Sequence, residues 1–387
     1  MKLLILDNEI IRRGAQMFGQ HFKKQLNDTG HVCKRVFLYS PEDETSLLPL
    51  DDDDRLLKGD KSNFLEIIPS FQPWLCRLIA GHIHAFDPDV VLLNGARSVK
   101  YGSIVKRFYY RGNAPFVVRV IDSVVYWNRS MVRQWYSRHV ITPQIEGAVG
   151  VGAKALQDYR SLYRYNGPGV SIPRSFDFQS FSNDKTRNQI RKRFQAAPSE
   201  KIVLFLGNIT RQKRPDRFLR VFAEVRKYIP EAVAWVVGDG ELGAEMQRQV
   251  SELGLGGSVR FFGYQSDVEP FIVASDVLLI SSDSEGVPGS AVEAHYLERP
   301  VVATNAGDVA MVVQNDVSGY INEIDDETGL EVNVVDLLSR PDKAERFGKQ
   351  GKAHVVANFN LADITERYLA FFDDIIRNKQ RQGQDAY

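Results

Sequence analysis

Val277-Leu278-Leu279-Ile280, then Ser284-Glu285-Gly286-Val287-Pro288-Gly289-Ser290-Ala291-Val292-Glu293-Ala294, then Pro300-Val301-Val302-Ala303-Thr304: this stretch decides how the chain is read. The two apolar runs, bounded by turn residues, have the length and composition of buried strands. A small-residue turn and a helix lie between them. Pro288 suits the first helical turn or the residue just ahead of it, and Ser290-x-x-Glu293 has the form of a capping box. Strand, Gly/Pro/Ser turn and helix start leave unpaired backbone N–H groups and the positive end of the helix dipole aimed at one spot, where a phosphate fits. Glu285 and Glu293 flank a place that already favours negative charge. Their partners are therefore hydroxyls or a group becoming cationic, and a nucleotide sugar offers both.

The same alternation extends through the second half of the chain. Apolar runs at 202–206, 232–237, 259–262, 277–280 and 301–304 are each followed by a helical stretch, the pattern of a parallel sheet covered on both faces. The first half repeats it. Strands are expected at 3–6, 32–39, 88–93, 114–121 and 148–152, with helices from Gly14 to about Leu26 and over 73–86, 100–111 and 153–163, and with 7–13 as a loop. Neither half has Gly-x-Gly-x-x-Gly at its first turn, which argues against a nicotinamide dehydrogenase.

After the first strand of the second half comes Gly207-Asn208-Ile209-Thr210-Arg211-Gln212-Lys213-Arg214-Pro215. Its three cations precede a helix whose amino end is itself positive, an arrangement that costs some tenths of a kcal/mol per charge unless an anion is present. Packing alone gives no reason for them. A diphosphate does, since Lys and Arg neutralise charge building on a leaving phosphate.

Glu-x7-Glu in the setting E-G-V-P-x-x-x-x-E-A, followed by R-P-V-V-A-T-N-A-G-D and S-G-Y, resembles the donor-site signature of glycosyltransferase family 4. The match is dense over about 201–320 and looser before it. The resemblance implies an α/β protein with the GT-B fold, two Rossmann-like domains with a cleft between them. It expects an acceptor domain over 1–178, a nucleotide-sugar donor domain over 179–360, and a terminal helix over 361–387 that crosses back to the first domain. It implies a retaining, metal-independent, hexosyltransferase-type enzyme that moves sugar from a nucleotide-diphosphate-sugar to a glycan, lipid or small-molecule acceptor. The donor is a substrate, so no cofactor is implied.

Carried over residue by residue, the resemblance gives Glu285 the sugar and positive charge at its anomeric carbon, and Glu293 the ribose hydroxyls. Lys213 falls on the family's phosphate-binding Lys. Asn208 stands where the family has Arg, with Arg211 as the substitute. Gly263 and Tyr264 match the base-binding turn, and Gly286, Val287, Pro288, Gly289 and Ser290 the turn and helix start that hold the donor. Gly14 matches a first-domain turn that approaches the donor. At the end of the strand over 114–121, where the family usually has a histidine, stand Ile121 and Asp122. Asp122 is either a cleft-facing catalytic acid or a plain helix cap. The family often has a glutamate near Met311, and Gly307-Asp308 reads as the cap of a helix after Thr304.

The 387 residues suit two domains, and 49 basic against 49 acidic residues give no hint of a nucleic-acid partner. Two cysteines, Cys33 and Cys76, point to a reducing compartment, or at least to a fold that needs no disulfides. Without an apolar run of membrane-spanning length, the expectation is a soluble cytoplasmic protein, peripheral at the inner membrane face where it meets a lipid-linked acceptor. The expected lipid-facing element is the helix over 100–111, with Lys106, Arg107 and Arg111 among Phe108, Tyr109 and Tyr110. Asp51-Asp52-Asp53-Asp54 reads as a solvated loop rather than a metal motif, because adjacent like charges repel and no buried strand precedes them. Alternative functions are a nucleotide-sugar epimerase on this fold and a catalytically silent nucleotide-sugar binder in a polysaccharide assembly system. A glycan phosphorylase is set aside for want of a pyridoxal-binding lysine context.

Overall fold

A computed structural model describes residues 1–11, 14–40, 47–59, 72–121, 130–176, 178, 181 and 186–384. The chain forms two compact units, one of residues 1–176 with 361–387 and one of residues 177–360.

Among the described residues of the first unit seven parallel strands run β3-β2-β1-β4-β5-β6-β7 across the sheet. They are β1 (Lys2–Glu9), β2 (Val32–Tyr39), β3 (Arg55–Gly59), β4 (Val90–Asn94), β5 (Phe116–Val120), β6 (Gly147–Gly150) and β7 (Gly169–Ser171). This is the doubly wound order that reverses direction between the first and fourth strands. β1 continues to Glu9, past the expected end at Leu6, because Asp7 pairs in register with Asn94 of β4. Helix α1 (Gly14–Asp28) covers one face, with Phe18, Phe22 and Leu26 packed on Leu3, Ile5 and Leu92. Helices α2 (Pro73–Phe86), α3 (Ala96–Phe108), α4 (Met131–Tyr136) and α5 (Ala153–Tyr163) follow in chain order.

The acidic run is a solvated turn only in part, with Asp51 and Asp52 exposed. Asp54 is buried and accepts from Arg35 at 2.7 Å, while the ammonium of Lys23, on α1, lies 2.8, 2.5 and 2.7 Å from Asp51, Asp53 and Asp54. Two cations that the repulsion argument ignored, one on α1 and one on β2, draw three of the four carboxylates together. The charge a metal ion would supply comes from Lys23 and Arg35. The helix read at 100–111 also changes. α3 ends at Phe108, Lys106 bonds Ala114 O at 2.7 Å and lies over the Phe116 ring, and Tyr110 is buried. Of the basic and aromatic set, Arg107, Phe108 and Arg111 face solvent.

The second unit has six parallel strands in the order β10-β9-β8-β11-β12-β13. They are β8 (Lys201–Leu206), β9 (Ala232–Val237), β10 (Val259–Gly263), β11 (Val277–Ile280), β12 (Val301–Thr304) and β13 (Gly319–Asn322). The order again reverses between first and fourth members, here between β8 and β11, whose pairing runs Val277 with Val203 and Leu278 with Leu204. Strands β9, β11 and β12 are buried along their whole length. Around them lie α6 (Arg187–Arg193), α7 (Pro215–Tyr228), α8 (Gly243–Glu252), α9 (Glu269–Ala274), α10 (Gly289–Tyr296), α11 (Glu327–Ser339) and α12 (Pro341–Phe359). β12 is followed only by one 3₁₀ turn (Val309–Met311), not by the helix expected after Thr304. The last helix, α13 (Leu361–Gln384), belongs to the first unit, where Ile364, Tyr368 and Phe372 join the core under α1.

Candidate functional site

In an open parallel sheet the loops at the carboxyl ends of the strands part where the strand order reverses, and the crevice left there takes the ligand. In the second unit that place lies between the loop after β8 and the loop after β11. These loops carry the two residues on which the donor-site reading depends. The Lys213 ammonium lies 2.5 Å from Glu285 Oε1, and the Ser282 hydroxyl donates to the same oxygen at 2.5 Å. Glu285 is buried to 7% exposure, whereas Lys213 keeps 24% of its side chain open.

Backbone contacts explain why the pair meets. Asp283 N donates to Gln212 O at 2.9 Å and Gln212 Nε2 to Ser284 O at 2.8 Å, so the two loops are stitched on both sides of Lys213. Ser281 Oγ donates to Lys213 O at 2.9 Å, and Thr304 Oγ1, at the end of β12, holds Ser282 O at 2.6 Å. Glycine is required twice. A Cβ on Gly307, at φ +63°, would lie 1.7 Å from Glu285 O, and one on Gly238, at φ +134°, would lie 2.0 Å from Gly207 O. No other residue lets the neighbouring strand ends close in on the Glu285 and Gly207 backbones.

The three cations of the loop after β8 divide. Arg214 does have a structural reason to be there: it grips Asp216 at 2.8 Å and Asp283 at 3.1 Å. Burial raises the Asp216 carboxyl, but the Arg214 and Arg220 guanidiniums outweigh it and hold the group well below the usual carboxylate range. Arg217, which was not singled out from the sequence, is buried and reaches Ser281 O and Asp283, each at 2.8 Å. Arg211 is exposed and makes no side-chain hydrogen bond or ion pair with the described residues. Packing therefore accounts for Arg214, while Lys213 meets Glu285 and Arg211 is left exposed.

The capping box is not formed. Helix α10 starts at Gly289 with Pro288 as its cap residue and no side-chain cap, so Ser290 and Glu293 stand inside the helix. The proline fixes its own φ but offers no side-chain acceptor, and the N–H groups of Gly289 and Ser290 have no carbonyl within the helix. Glu293 is half-buried on this first stretch of helix, just beyond the turn of Gly286, Val287 and Pro288. Gly263, at φ +63°, ends β10, and Tyr264 after it is 61% exposed. β10 is two strands from β8, about 10 Å at ordinary strand spacing. Gly14 opens α1 in the first unit. Asp122 lies outside the described residues; Asn208 is exposed.

Ser282, Thr304, Gly307 and Arg217 escaped sequence reading, since a serine, a threonine or a helical arginine carries no signature until its neighbours are known. Gly307 alone carries a signal, its place in Ala306-Gly307-Asp308, which by itself suits a helix cap equally well.

Among the described residues no helix is long and apolar enough to cross a membrane. A model of the family described as glycosyl transferases group 1 matches residues 186–354. N-acetyl-alpha-D-glucosaminyl L-malate synthase of Bacillus anthracis is 27% identical over 198 residues, 51% of this chain and 51% of that protein. The UDP-Gal:alpha-D-GlcNAc-diphosphoundecaprenol alpha-1,3-galactosyltransferase of Escherichia coli is 24% identical over 216 residues, 54% of each. The chain thus spans about half the length of the curated relatives it matches. The crystal structure of Anabaena Alr3699/HepE in complex with UDP superposes with a TM-score of 0.81 at 17% identity, covering 97% of this chain and 100% of that one. WaaG, a glycosyltransferase involved in lipopolysaccharide biosynthesis, superposes at 0.71 with 14% identity, over 96% and 99% of the two chains. Residues 186–354 thus match the glycosyl transferases group 1 family, and the two Rossmann-like sheets have the GT-B fold.

Proposed function

We propose that this protein is a retaining glycosyltransferase that moves a sugar from a nucleotide-diphosphate-sugar to a glycan, lipid or small-molecule acceptor. The observation that carries the proposal is the Lys213–Glu285 pair at the sheet's reversal point, with Ser282 on the same carboxylate oxygen. A diphosphate entering there gives Lys213 a second anionic partner, and Arg211 and the free N–H groups of α10 add to its hold. Released from part of its bond to Lys213, Glu285 is left to steady positive charge at the anomeric carbon as the bond to the leaving phosphate breaks. Glu293 takes the ribose hydroxyls, and Gly263 and Tyr264 take the base. The charge on the departing diphosphate is met by cations and helix N–H groups, so the proposed reaction uses neither metal nor cofactor. Asp122 stays a candidate acid toward the acceptor, and Gly14 a first-unit contact to the donor.

The names of the relatives support a lipid-linked or growing-glycan acceptor, since they include a diphosphoundecaprenol galactosyltransferase and lipopolysaccharide core glycosyltransferases of Rhizobium meliloti. Such an acceptor sets the protein in the cytoplasm at the inner face of a membrane, with Arg107, Phe108 and Arg111 as the surface offered to it. The test is product analysis with a panel of nucleotide sugars and lipid-linked acceptors. Release of nucleoside diphosphate, with sugar joined to the acceptor in the donor's own anomeric configuration, is the expected result. Inverted product overturns the retaining assignment, and an isomerised nucleotide sugar with no transfer points to an epimerase.

A further inference from the structure

The second sheet has another charged cavity, at the end opposite Glu285, where β8, β11 and β12 begin. It encloses about 350 Å³, within the range of small-ligand pockets. Leu337 and Leu338 of α11 give it an apolar wall, and Arg187, Lys201 and Arg299 give it positive charge. β8 is six residues long, so the cavity and the Lys213 site are about 20 Å apart along the sheet.

The carboxylates of this cavity are already taken. Asp276 accepts from Arg187 at 2.6 Å, from Arg191 at 2.7 Å and from Ile202 N at 2.7 Å. Glu298 is paired with Lys352 at 2.8 Å, and Glu345 with Lys349. Two cations are left over. Arg299 makes no side-chain hydrogen bond or ion pair with the described residues, and its Nε is buried without a partner, as is the Nε of Arg187. Lys201 has no carboxylate partner among the described residues either. Burial, with the charge of Arg187 adding to it, lowers Arg299 to about 10, which still leaves it a cation at neutral pH. A half-buried guanidinium whose Nε is buried without a partner carries a desolvation penalty that the charges of Asp276 and Glu298 offset only in part.

We propose that this cavity is a second binding site, distinct from the donor site, for a small anion bearing a phosphate group. A phosphate monoester carries about −1.5 to −2 at neutral pH, enough to partner both Lys201 and Arg299. Its oxygens suit the fork of donors that Arg299 presents, and the apolar wall accepts the organic part of an ester.

The test is thermal melting of the full chain with inorganic phosphate and, separately, glycerol 3-phosphate, against sodium chloride of equal ionic strength. Both probes are expected to raise the Tm of the wild type and of Lys213→Ala, and Arg299→Gln is expected to lose the rise. Lys201→Gln should weaken the apparent affinity by about tenfold, the loss of one charge-assisted contact. An equal rise with the two probes assigns the site to free phosphate, and a larger rise with the ester assigns it to a phosphorylated metabolite. The proposal is overturned if neither probe shifts the wild type, if Arg299→Gln keeps the full shift, or if Lys213→Ala abolishes it. Should Arg299→Gln fail to fold, Lys201→Gln decides, and an unchanged affinity there is a refutation.

Discussion

Glu285 is held by two neighbours, and they have different parts. Lys213 brings charge that a diphosphate can redirect, whereas Ser282 brings a neutral hydrogen bond that only orients the carboxylate. Glu285→Ala and Lys213→Ala should each lower kcat/KM by about 100-fold or more, the scale on which a single electrostatic contact to a transition state acts. Far-UV circular dichroism should stay that of the wild type, since Lys213 is partly open to solvent and the loops are stitched by Gln212 and Ser281 rather than by the ion pair. Near-normal rates in both variants would refute the assignment. Ser282→Ala should cost about fivefold in kcat with the donor KM unchanged, one neutral hydrogen bond being worth about 1 kcal/mol, and Ser282→Thr should restore it. A change in KM alone would mean that Ser282 holds the donor rather than Glu285.

At the scale of an element, the end of β1 holds a charge that the fold pays for. Asp7 is fully buried, accepts from Asn94 Nδ2 at 2.6 Å, and has its other oxygen unpartnered. Burial pushes its carboxyl up to about 7, against the pull of Arg35 and of the Asn94 bond. A carboxyl whose folded value is raised stabilises the fold below its unfolded value of 3.8, and that contribution is lost as pH rises toward 7. From pH 5 to 8 the loss should be on the order of 3 kcal/mol, at 1.36 kcal/mol per pH unit below the folded value. Asp7→Asn cannot ionise, so its stability relative to wild type should improve by that amount between pH 5 and pH 8 in urea titrations. A difference that does not vary with pH would show that Asp7 ionises freely in the native state.

For the whole molecule, the chain returns to its first unit at the end. Ile364, Tyr368, Phe372 and Ile375 of α13 are buried there, and the Tyr368 hydroxyl accepts from Arg119 Nε at 3.1 Å. Each such side chain contributes about 1.5–3 kcal/mol, so the four together rival the 5–15 kcal/mol of a typical domain. Ending the chain after Asn360 should therefore unfold residues 1–176 and leave residues 177–360 with a cooperative melt, read by calorimetry or limited proteolysis. Loss of both units together would show that the second depends on the first.

Both sheets, the strands at their centres and the residues Lys213 and Glu285 were legible in the sequence. Runs such as Val277-Leu278-Leu279-Ile280 can only be buried, and a Gly/Pro turn with acids and cations beside it has few uses. The strands that escaped it, β3, β7 and β13, all lie at sheet edges. An edge strand is half-covered and short, so the residues of β3 and β7 stay largely unburied and no apolar run marks them. Only the tertiary structure decided which charges neutralise one another. It turned three of four consecutive aspartates into partners of Lys23 and Arg35, gave Arg214 to Asp283 and left Arg299 without an ion-pair partner among the described residues. Strand formation follows from a local pattern, but an ion pair depends on which distant loops the fold brings within about 4 Å, and sequence spacing carries no record of that distance.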